Sequence, residues 1–438
     1  MASTIQVNAV IEEARFNRFF LMVFLLLSFA FIVAGIGVGA YGVTLPPIAA
    51  ALNLTDAQAG LLASAGLFGM MVGALVFGAL SDMFGRKSAL AAAIVVFSVF
   101  NGWIVLVGQW TVFALCRFAA GIGVGALTPI CVSLLSEYSP KANRTFLITV
   151  MMIGPSFGQF LAALAGLGFL DSHGWRFLYL FSFSGLLLLP FVCFLLPESM
   201  RFYVDRGQVL QVRRFLAKAA PLVDLSGADA FEVGTANKRK PPARLLFTKA
   251  YIRNTAALNL AFFCNLYMFY GVSTWLPALM LLQGYAMKSG ITFLSFFLLG
   301  TAFAAPFAGH YADRFGYKKM MGLIYTVLAA LIALISSGIG GVAPYVLVFA
   351  VGGCAGAAHN MALAITPQFY PIALRGTIIG LASASSRVGS ALAPAIVGTL
   401  LSQHVPPHLI FLSFTIPALL GLAAIAYTRP AQSDTQNV

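Results

Sequence analysis

Apolar runs long enough to cross a lipid bilayer follow one another along this sequence, and this feature excludes most folds. A helix of about 20 apolar residues spans the hydrocarbon core of a membrane. Of the 438 residues, 60% are hydrophobic and only 9% are charged, whereas a soluble domain carries about 25% charged residues. So few polar side chains cannot cover a water-facing surface. The sequence therefore predicts an all-α integral membrane protein and excludes a soluble, fibrous or disordered chain.

Charged residues, prolines and glycines divide the apolar sequence into twelve predicted spans. The first six cover residues 18–46, 58–80, 88–108, 111–135, 145–168 and 177–196. The second six cover residues 253–278, 290–311, 318–339, 343–367, 377–402 and 407–428. We expect an N-terminal segment (1–17), a six-helix bundle (18–196), a polar central loop (197–252), a second six-helix bundle (253–428) and a tail (429–438).

Basic residues collect on one side of this topology. If the N-terminus is cytoplasmic, the basic loops and the central loop are cytoplasmic as well, and the opposite side receives only Arg176 and Lys288. An excess of Lys and Arg in cytoplasmic loops is the rule for membrane proteins. We therefore expect both termini in the cytoplasm. The net charge of +13 follows from topology and from attraction to anionic membrane lipid, and it implies no nucleic-acid partner.

The two halves of the sequence match each other at one fixed offset. Small, charged and proline residues coincide in pairs: Gly78 with Gly309, Asp82 with Asp313, Gly85 with Gly316, Lys87 with Lys318, Gly121 with Gly352, Gly125 with Gly356, Pro140 with Pro371, Arg144 with Arg375 and Gly158 with Gly389. Six spans per half is an even number, so both halves insert the same way up. The sequence thus predicts a parallel repeat about an axis along the membrane normal, which places a site between the halves near the midplane.

The loop between spans 2 and 3 and its copy between spans 8 and 9 share spaced glycines and an aspartate. They read Gly78-Ala-Leu-Ser-Asp82-Met-Phe-Gly85-Arg86-Lys87 and Gly309-His-Tyr-Ala-Asp313-Arg314-Phe-Gly316-Tyr-Lys318. Topology alone explains the basic residues, but not the repeated glycines and aspartates. An aspartate at a helix end can pair with basic residues or cap a neighbouring helix. We expect these residues, together with Arg144 and Arg375, to hold one conformation and to release it in another.

These loops resemble the signature of the major facilitator superfamily. Two further similarities are Arg117-Phe-Ala-Ala-Gly121-Ile-Gly123-Val-Gly125 and Pro197-Glu198-Ser199-Met-Arg201. Other stretches are similar to the aromatic acid:proton symporter family, namely Tyr41-Gly-Val-Thr-Leu-Pro46, Glu137-Tyr-Ser-Pro140-Lys-Ala-Asn-Arg144, Gly174-Trp175-Arg176, Trp275-Leu-Pro277, Tyr370-Pro-Ile-Ala-Leu-Arg375-Gly-Thr377 and Arg387-Val-Gly389. The resemblance covers nearly the whole chain. It implies a monomeric secondary transporter that imports a small organic anion, an aromatic or related carboxylate, across a bacterial inner membrane by alternating access.

Two other functions stay open at this stage. The stretch Gly154-Pro155-Ser-Phe-Gly158-Gln159 partly resembles a motif of drug:proton antiporters, which keeps an exporter as an alternative. A transporter-like receptor without flux is the second. The sequence indicates no cofactor and no metal site, because its cysteines lie in apolar stretches without a CxxC pair and its histidines are scattered. No catalytic triad or pair of carboxylates falls at mid-membrane, so an enzyme is disfavoured.

Span 1 departs from the family pattern at the position of two carboxylates. The family has Asp-Gly-aromatic-Asp there, whereas this chain has Ala34-Gly35-Ile36-Gly37, and none of the 13 acidic residues lies at the centre of a predicted span. If a proton is co-transported, His359 is the mid-span group that titrates near neutral pH. Glu137 and Asp82, at the cytoplasmic ends of spans 4 and 2, are the next candidates. Without a proton, the protein is a facilitator or an exchanger.

Two arginines lie inside predicted spans. A charged side chain at mid-membrane costs about 2.5–3.5 kcal/mol and normally faces a water-filled pathway or a partner. A guanidinium can hold a carboxylate through two parallel hydrogen bonds. Arg387 lies deeper in its span and is the stronger candidate, while Arg117 has a structural role as its alternative. The predicted substrate-binding residues are Arg387, Arg117, His359, Asn360, Tyr41, Asn265, Tyr267 and Tyr270.

We predict that Asp82→Asn slows transport far more than it weakens substrate binding. The reason is that this loop would set the balance between conformations without touching the substrate. Initial uptake rates and equilibrium binding of the purified variant check this. Weaker binding with an unchanged turnover would contradict the proposed role.

Overall fold

The computed structural model describes residues 3–221, 228–232 and 243–428. Its N-terminal half is a bundle of long helices joined by short turns. Spans 1 to 4 are the helices Arg18–Ala51, Asp56–Phe84, Arg86–Trp103 and Trp110–Glu137. Spans 5 and 6 are formed by Arg144–Leu180, which continues through the 3-10 helix Phe181–Leu188 into Leu189–Leu195.

The C-terminal half repeats this arrangement. Spans 7 to 11 are the helices Ile252–Leu282, Met287–Phe315, Tyr317–Ser336, Ala343–Ile365 and Ile372–Ser402. Span 12 consists of Pro407–Ser413 and Thr415–Tyr427.

The helix lengths allow twelve membrane crossings. Nine helical stretches among the described residues are long and apolar enough to cross a membrane. One of them, Arg144–Leu195, has 52 residues, and Gly174 interrupts it with a φ of 74° and a ψ of 174°. Because about 20 residues cross the hydrocarbon core, this stretch provides two crossings. Met287–Phe315 and Ile372–Ser402 are also long enough, so the chain is a multi-pass membrane protein with the predicted all-α fold.

The segment between the halves is more structured than the predicted loop. It contains the helices Met200–Asp205 and Val209–Ala219 and the strand β2, Ala228–Glu232, which pairs in parallel with the N-terminal strand β1, Ser3–Gln6. Asn17 caps span 1 by accepting from the Phe19 amide at 2.9 Å, and its own amide donates to the carbonyls of Lys218 and Ala219. The N-terminus and the central segment therefore form one layer against the N-terminal half. We call this face of the molecule the basic side.

Glycines set the close approach of spans 2 and 4. A methyl group at Gly121 would collide with the carbonyl of Gly66, and one at Gly125 would collide with the carbonyl of Met70. Contacts of this kind are typical of membrane helices, which associate through small residues because lipid provides no hydrophobic driving force between them.

The repeated glycines of span 10 have the same physical cause. A methyl group at Gly352 would collide with the carbonyl of Phe297 in span 8, and one at Gly356 would lie 2.9 Å from the carbonyl of Thr301. The hydroxyl of Thr301 also donates to the Gly352 carbonyl at 3.2 Å. Spans 8 and 10 thus repeat the packing of spans 2 and 4, which accounts for these pairs in the sequence repeat.

The two halves meet on the side opposite the basic side, which we call the closed side. Span 2 contacts span 11 there, because the Ala395 amide donates to the Ser64 hydroxyl at 3.1 Å. Span 5 contacts span 8 through an ion pair of 3.0 Å between Asp171 and Lys288. Gly42 of span 1 faces span 7, where an added methyl group would lie 2.8 Å from the Ser273 carbonyl. These contacts close the molecule above the centre of the bundle.

Gly125→Ala should lower stability, because the added methyl group meets a backbone carbonyl that cannot move aside. Overpacking of this kind costs about 1–3 kcal/mol. Gly168→Ala is the matched control, since nothing lies within 4 Å of a methyl group at that position. The apparent unfolding temperature in detergent measures both variants. Equal unfolding temperatures would show that the approach of spans 2 and 4 is not tight.

Candidate functional site

A narrow cavity lies between the halves, beneath the closed side, and together with the space open to solvent it encloses about 370 Å³ that no atom occupies. Spans 1, 2, 4 and 5 form one wall, and spans 7 and 8 form the other. Most of the lining is aliphatic or glycine, and the side chains with polar atoms are Tyr41, Arg117, Gln159, Tyr270, Ser273 and Thr274.

Arg117 is the cation of this cavity, and it is 93% buried, with 7% of its surface exposed. Its Nη1 donates to the Gly37 carbonyl across a long 3.5 Å, and its guanidinium lies 4.7 Å from the ring centre of Tyr41. Its Nε has no hydrogen-bond partner within the described part of the chain. Gly66 makes room for the guanidinium, since a methyl group there would lie 3.1 Å from Nη2. The charge is therefore held in place but incompletely satisfied.

Tyr41 is fixed by its neighbours. Its hydroxyl donates to the carbonyl of Ala59 in span 2 at 2.5 Å, and its ring packs edge-on against Phe113 at 6.3 Å. A buried tyrosine whose hydroxyl has a partner keeps one orientation. Tyr41 thus presents a rigid aromatic face beside Arg117.

The family pattern has its second span-1 aspartate where this chain has Gly37, and an amide side chain from another span occupies the space beside that glycine. A side chain on Gly37 would collide with the amide of Asn101 in span 3. The Asn101 amide donates to the Ser182 hydroxyl at 2.8 Å, while its Oδ1 has no partner in the described structure. Gly37, Asn101 and Arg117 also line a second, smaller cavity of about 280 Å³. The immediate surroundings of Arg117 are therefore neutral.

The predicted residues of the C-terminal half are not gathered around this cavity, except Tyr270. Asn265 is fully buried, and its amide links span 7 to span 10 by donating to the Ala355 carbonyl at 3.3 Å and accepting from the His359 amide at 3.0 Å. Tyr267 stacks on Phe263. These two contacts have the character of helix packing.

His359 and Asn360 lie in span 10, outside the lining of the cavity. The ring of His359 packs edge-on against Phe262 at 5.8 Å, and its Nδ1 is buried without a described partner. Asn360 is exposed and donates to the Gly356 carbonyl of its own helix at 3.0 Å. Arg387 is half-buried in span 11 and interacts electrostatically with His359 and Tyr270. The positive charge of Arg387 therefore acts on Tyr270, which belongs to the cavity wall contributed by the C-terminal half.

On the basic side, the loop between spans 2 and 3 is joined to the end of span 6. The carboxylate of Glu198 accepts from the backbone amides of Lys87 and Ser199, both at 2.9 Å. Glu137 forms an ion pair with Arg86 and accepts from the Ser199 hydroxyl at 2.8 Å. Glu137 therefore lies at the end of span 4, within a network of loop residues.

The other predicted gating residues of the N-terminal half contribute to the same face. Gly85 has a φ of 95°, which a side chain rarely adopts, and it lies directly against the Glu198 carboxylate. Arg144 forms an ion pair of 3.1 Å with Glu12 and donates to the Ser139 carbonyl at 3.2 Å. Gly78 has nothing within 4 Å of an added methyl group. The side chain of Asp82 lies outside the described residues.

The corresponding loop of the C-terminal half repeats one contact, because Lys318, like Lys87, donates to a backbone carbonyl at the end of the last helix of its half. Gly316 has a φ of 88°, but no atom of the described residues lies within 4 Å of a methyl group there. Lys318 donates to the Thr428 carbonyl at 2.7 Å, and Arg375 donates to the Tyr370 carbonyl at 3.1 Å. Arg314 lies 5.8 Å from the ring of Phe315. The surroundings of Gly309 and the side chain of Asp313 lie outside the described residues.

The sequence did not single out several residues of these sites. Gln159, Ser273 and Thr274 line the cavity, and Glu198 joins the loop of spans 2 and 3 to the end of span 6. Glu198 lies in one of the motifs noted above, so a signal for it was present. The two hydroxyl residues precede the Trp275-Leu-Pro277 motif, but an uncharged residue in a span gives no comparable signal.

Comparison with known proteins shows the family. The model for the sugar (and other) transporter family matches residues 40–280, and the model for the major facilitator superfamily matches residues 290–437. The benzoate transport protein of Acinetobacter baylyi is 31% identical to this chain, covering 97% of this chain and 93% of that protein. The 4-hydroxybenzoate transporter PcaK of the same species is 29% identical, covering 97% and 94%. The gallate transporter of Pseudomonas putida is 31% identical, covering 89% and 88%.

Solved structures show the same fold. The inward open conformation of the xylose transporter XylE from E. coli matches with a TM-score of 0.72 at 16% identity, covering 95% of this chain and 98% of that one. A bacterial homolog of the human lysosomal transporter Spinster, inward-facing and occupied, matches with a TM-score of 0.70 at 14% identity, covering 94% and 97%. Together with the family models, these matches establish that the chain belongs to the major facilitator superfamily and is a membrane transporter rather than an enzyme.

Proposed function

We propose that this transporter carries a small organic anion, an aromatic carboxylate such as benzoate or a hydroxybenzoate, by alternating access. The observation that carries the proposal is the buried guanidinium of Arg117, which faces a cavity between the halves with an unsatisfied Nε. A carboxylate is the natural partner of a guanidinium, because two charge-assisted hydrogen bonds match its geometry. The names of the relatives that cover nearly the whole chain support an aromatic carboxylate.

The cavity offers complementary surfaces for the rest of such an anion. The rings of Tyr41 and Tyr270 and the side chains of Leu294 and Leu298 surround it with apolar surface. Ser273 and Thr274 are buried and line the same cavity, so their hydroxyls can bond to a ring substituent. This combination of one cation, an apolar wall and a few polar groups is typical of sites for small molecules.

Alternating access follows from the way the halves meet. We infer that the basic side faces the cytoplasm of a bacterial cell and that the protein acts as a monomer in the inner membrane, since basic loops favour that side. The described structure is closed on the opposite side, through Asp171, Lys288 and the contact of Ser64 with Ala395. Rocking of the halves would open this side and bring the cavity into contact with the exterior.

The exporter alternative loses its main support. Gly158 packs against the backbone of span 1, where a methyl group would collide with the Ile32 carbonyl. Gly154 lies against Phe31, and Gly35 of span 1 lies against the backbone of Pro155. The close packing of spans 1 and 5 thus accounts for the glycines of this motif without a role in export.

We predict that Arg117→Ala weakens binding of benzoate or 4-hydroxybenzoate by roughly 10- to 100-fold, the range expected for lost hydrogen bonds to a charged group. Arg117→Lys should restore part of the affinity, because lysine keeps the charge but cannot form two parallel hydrogen bonds. Arg387→Ala is the matched control and should have the smaller effect, because Arg387 lies outside the cavity lining. Thermal-shift titration of the purified variants measures all three. A larger loss with Arg387→Ala would move the carboxylate site to span 11.

The loop network on the basic side leads to a prediction about Glu198. Glu198→Ala removes the acceptor of two backbone amides and should lower the free energy of unfolding by about 1.5–3 kcal/mol. Glu198→Gln keeps one acceptor and should lose less. Asp205→Asn is the control, since its pair with Arg201 is exposed and 3.6 Å long, and such pairs contribute little. Unfolding in detergent measures stability, and an unchanged Glu198→Ala variant would remove Glu198 from the network.

A further inference from the structure

Among the described side chains, no carboxylate pairs with the guanidinium of Arg117. Span 1, which contacts the guanidinium through Gly37 and Tyr41, contains no acidic residue. In span 2, Gly66 faces the guanidinium, and Asp56 lies ten residues away, which is about 15 Å along a helix. In span 4 itself, Glu137 lies twenty residues from Arg117, or about 30 Å along the helix. A counter-ion for Arg117 therefore has to come from the cavity.

The other groups around Arg117 cannot take up a negative charge readily. Asn101 of span 3 is an amide that lines the same small cavity. The phenols of Tyr41 and of Tyr179 in span 6 interact electrostatically with the guanidinium, and phenols stay protonated at neutral pH. The described residues thus place no acid next to Arg117 that could exchange a proton when the substrate binds or leaves.

From this geometry we infer that the protein works chiefly as an anion exchanger, and this inference rests on the proposed function. A bound carboxylate neutralises Arg117, so the loaded protein can close around a neutral pair. An empty cavity leaves a buried cation without a partner, and a closed state that excludes water is then disfavoured. The loaded transporter should therefore change sides faster than the empty one. Exchange of one organic anion for another would then be faster than net uptake.

The first measurement compares exchange with net uptake in proteoliposomes, with radiolabelled 4-hydroxybenzoate as the probe. We expect exchange against internal 4-hydroxybenzoate to be at least about tenfold faster than uptake into empty vesicles. We also expect the exchange rate to be unaffected by an imposed pH gradient or potassium diffusion potential, because the loaded form carries a neutral pair. Equal rates of exchange and net uptake, or accumulation driven by a pH gradient, would overturn the inference.

The second measurement gives Arg117 an internal counter-ion. Asn101→Asp has nearly the same shape as the native side chain and places a carboxylate in the small cavity beside Arg117. We expect it to bind 4-hydroxybenzoate at least several-fold more weakly and to bring the ratio of exchange to net uptake towards one. Asn259→Asp is the matched control, because it adds the same charge in span 7, eleven residues from Tyr270 of the cavity, or about 16 Å along the helix. Asn259→Asp should leave the ratio of exchange to net uptake unchanged.

The outcomes separate this inference from the proposed function. If Asn101→Asp still binds the probe and its ratio stays at the wild-type value, the missing counter-ion does not cause exchange, and the inference fails. The thermal shift produced by the probe shows that the variant is folded. If the wild type binds and transports none of benzoate, 4-hydroxybenzoate or gallate, the proposed function fails, and the inference fails with it.

Discussion

A buried guanidinium without a carboxylate beside it is the interaction on which the central cavity depends. Placing a charge at mid-membrane is unfavourable, and proteins usually offset it with a partner charge or with water. Around Arg117 the chain supplies a long hydrogen bond from the Gly37 carbonyl and the face of Tyr41. These contacts orient the cation but do not neutralise it. The cavity between the halves therefore contains a buried cation that the described residues do not neutralise, and an anion bound there would be its partner.

The positions of the helices that surround this cavity are set mainly by glycine. Gly121 and Gly125 bring span 4 against span 2, and Gly158 brings span 5 against span 1. Span 2 carries Gly66, which leaves room for the Arg117 side chain. Close packing and the site are thus connected, because the glycine contacts that hold spans 2 and 4 together also fix the distance between Arg117 and its neighbours. The sequence repeat preserves this packing in span 10 but not the cation, so the two halves have similar folds and unequal roles.

The basic side has a comparable asymmetry. In the N-terminal half, Glu198 accepts from the amides at the start of span 3, and Glu137 pairs with Arg86. One contact is common to both halves, because Lys318 donates to the Thr428 carbonyl as Lys87 donates to the Cys193 carbonyl. The N-terminal half also carries the layer formed by β1, β2 and the helix Val209–Ala219. This layer adds described contacts to the N-terminal half on the basic side.

The sequence alone determined the fold class, the multi-pass character of the chain and the family, because hydrophobic length, the motifs and the repeat are properties of the linear chain. It also identified Arg117, since a charge within an apolar run is conspicuous. Only the tertiary structure decided which side chains share the cavity, because helix rotation about its axis is set by packing and not by hydropathy. It separates His359 and Asn265 from Arg117, and it adds Gln159, Ser273 and Thr274, which the sequence had not singled out. The missing span-1 carboxylate was visible in the sequence, but its consequence was not. The contact between Gly37 and Arg117 shows that the chain departs from the family pattern directly beside this buried charge, where it provides a backbone carbonyl and no side chain.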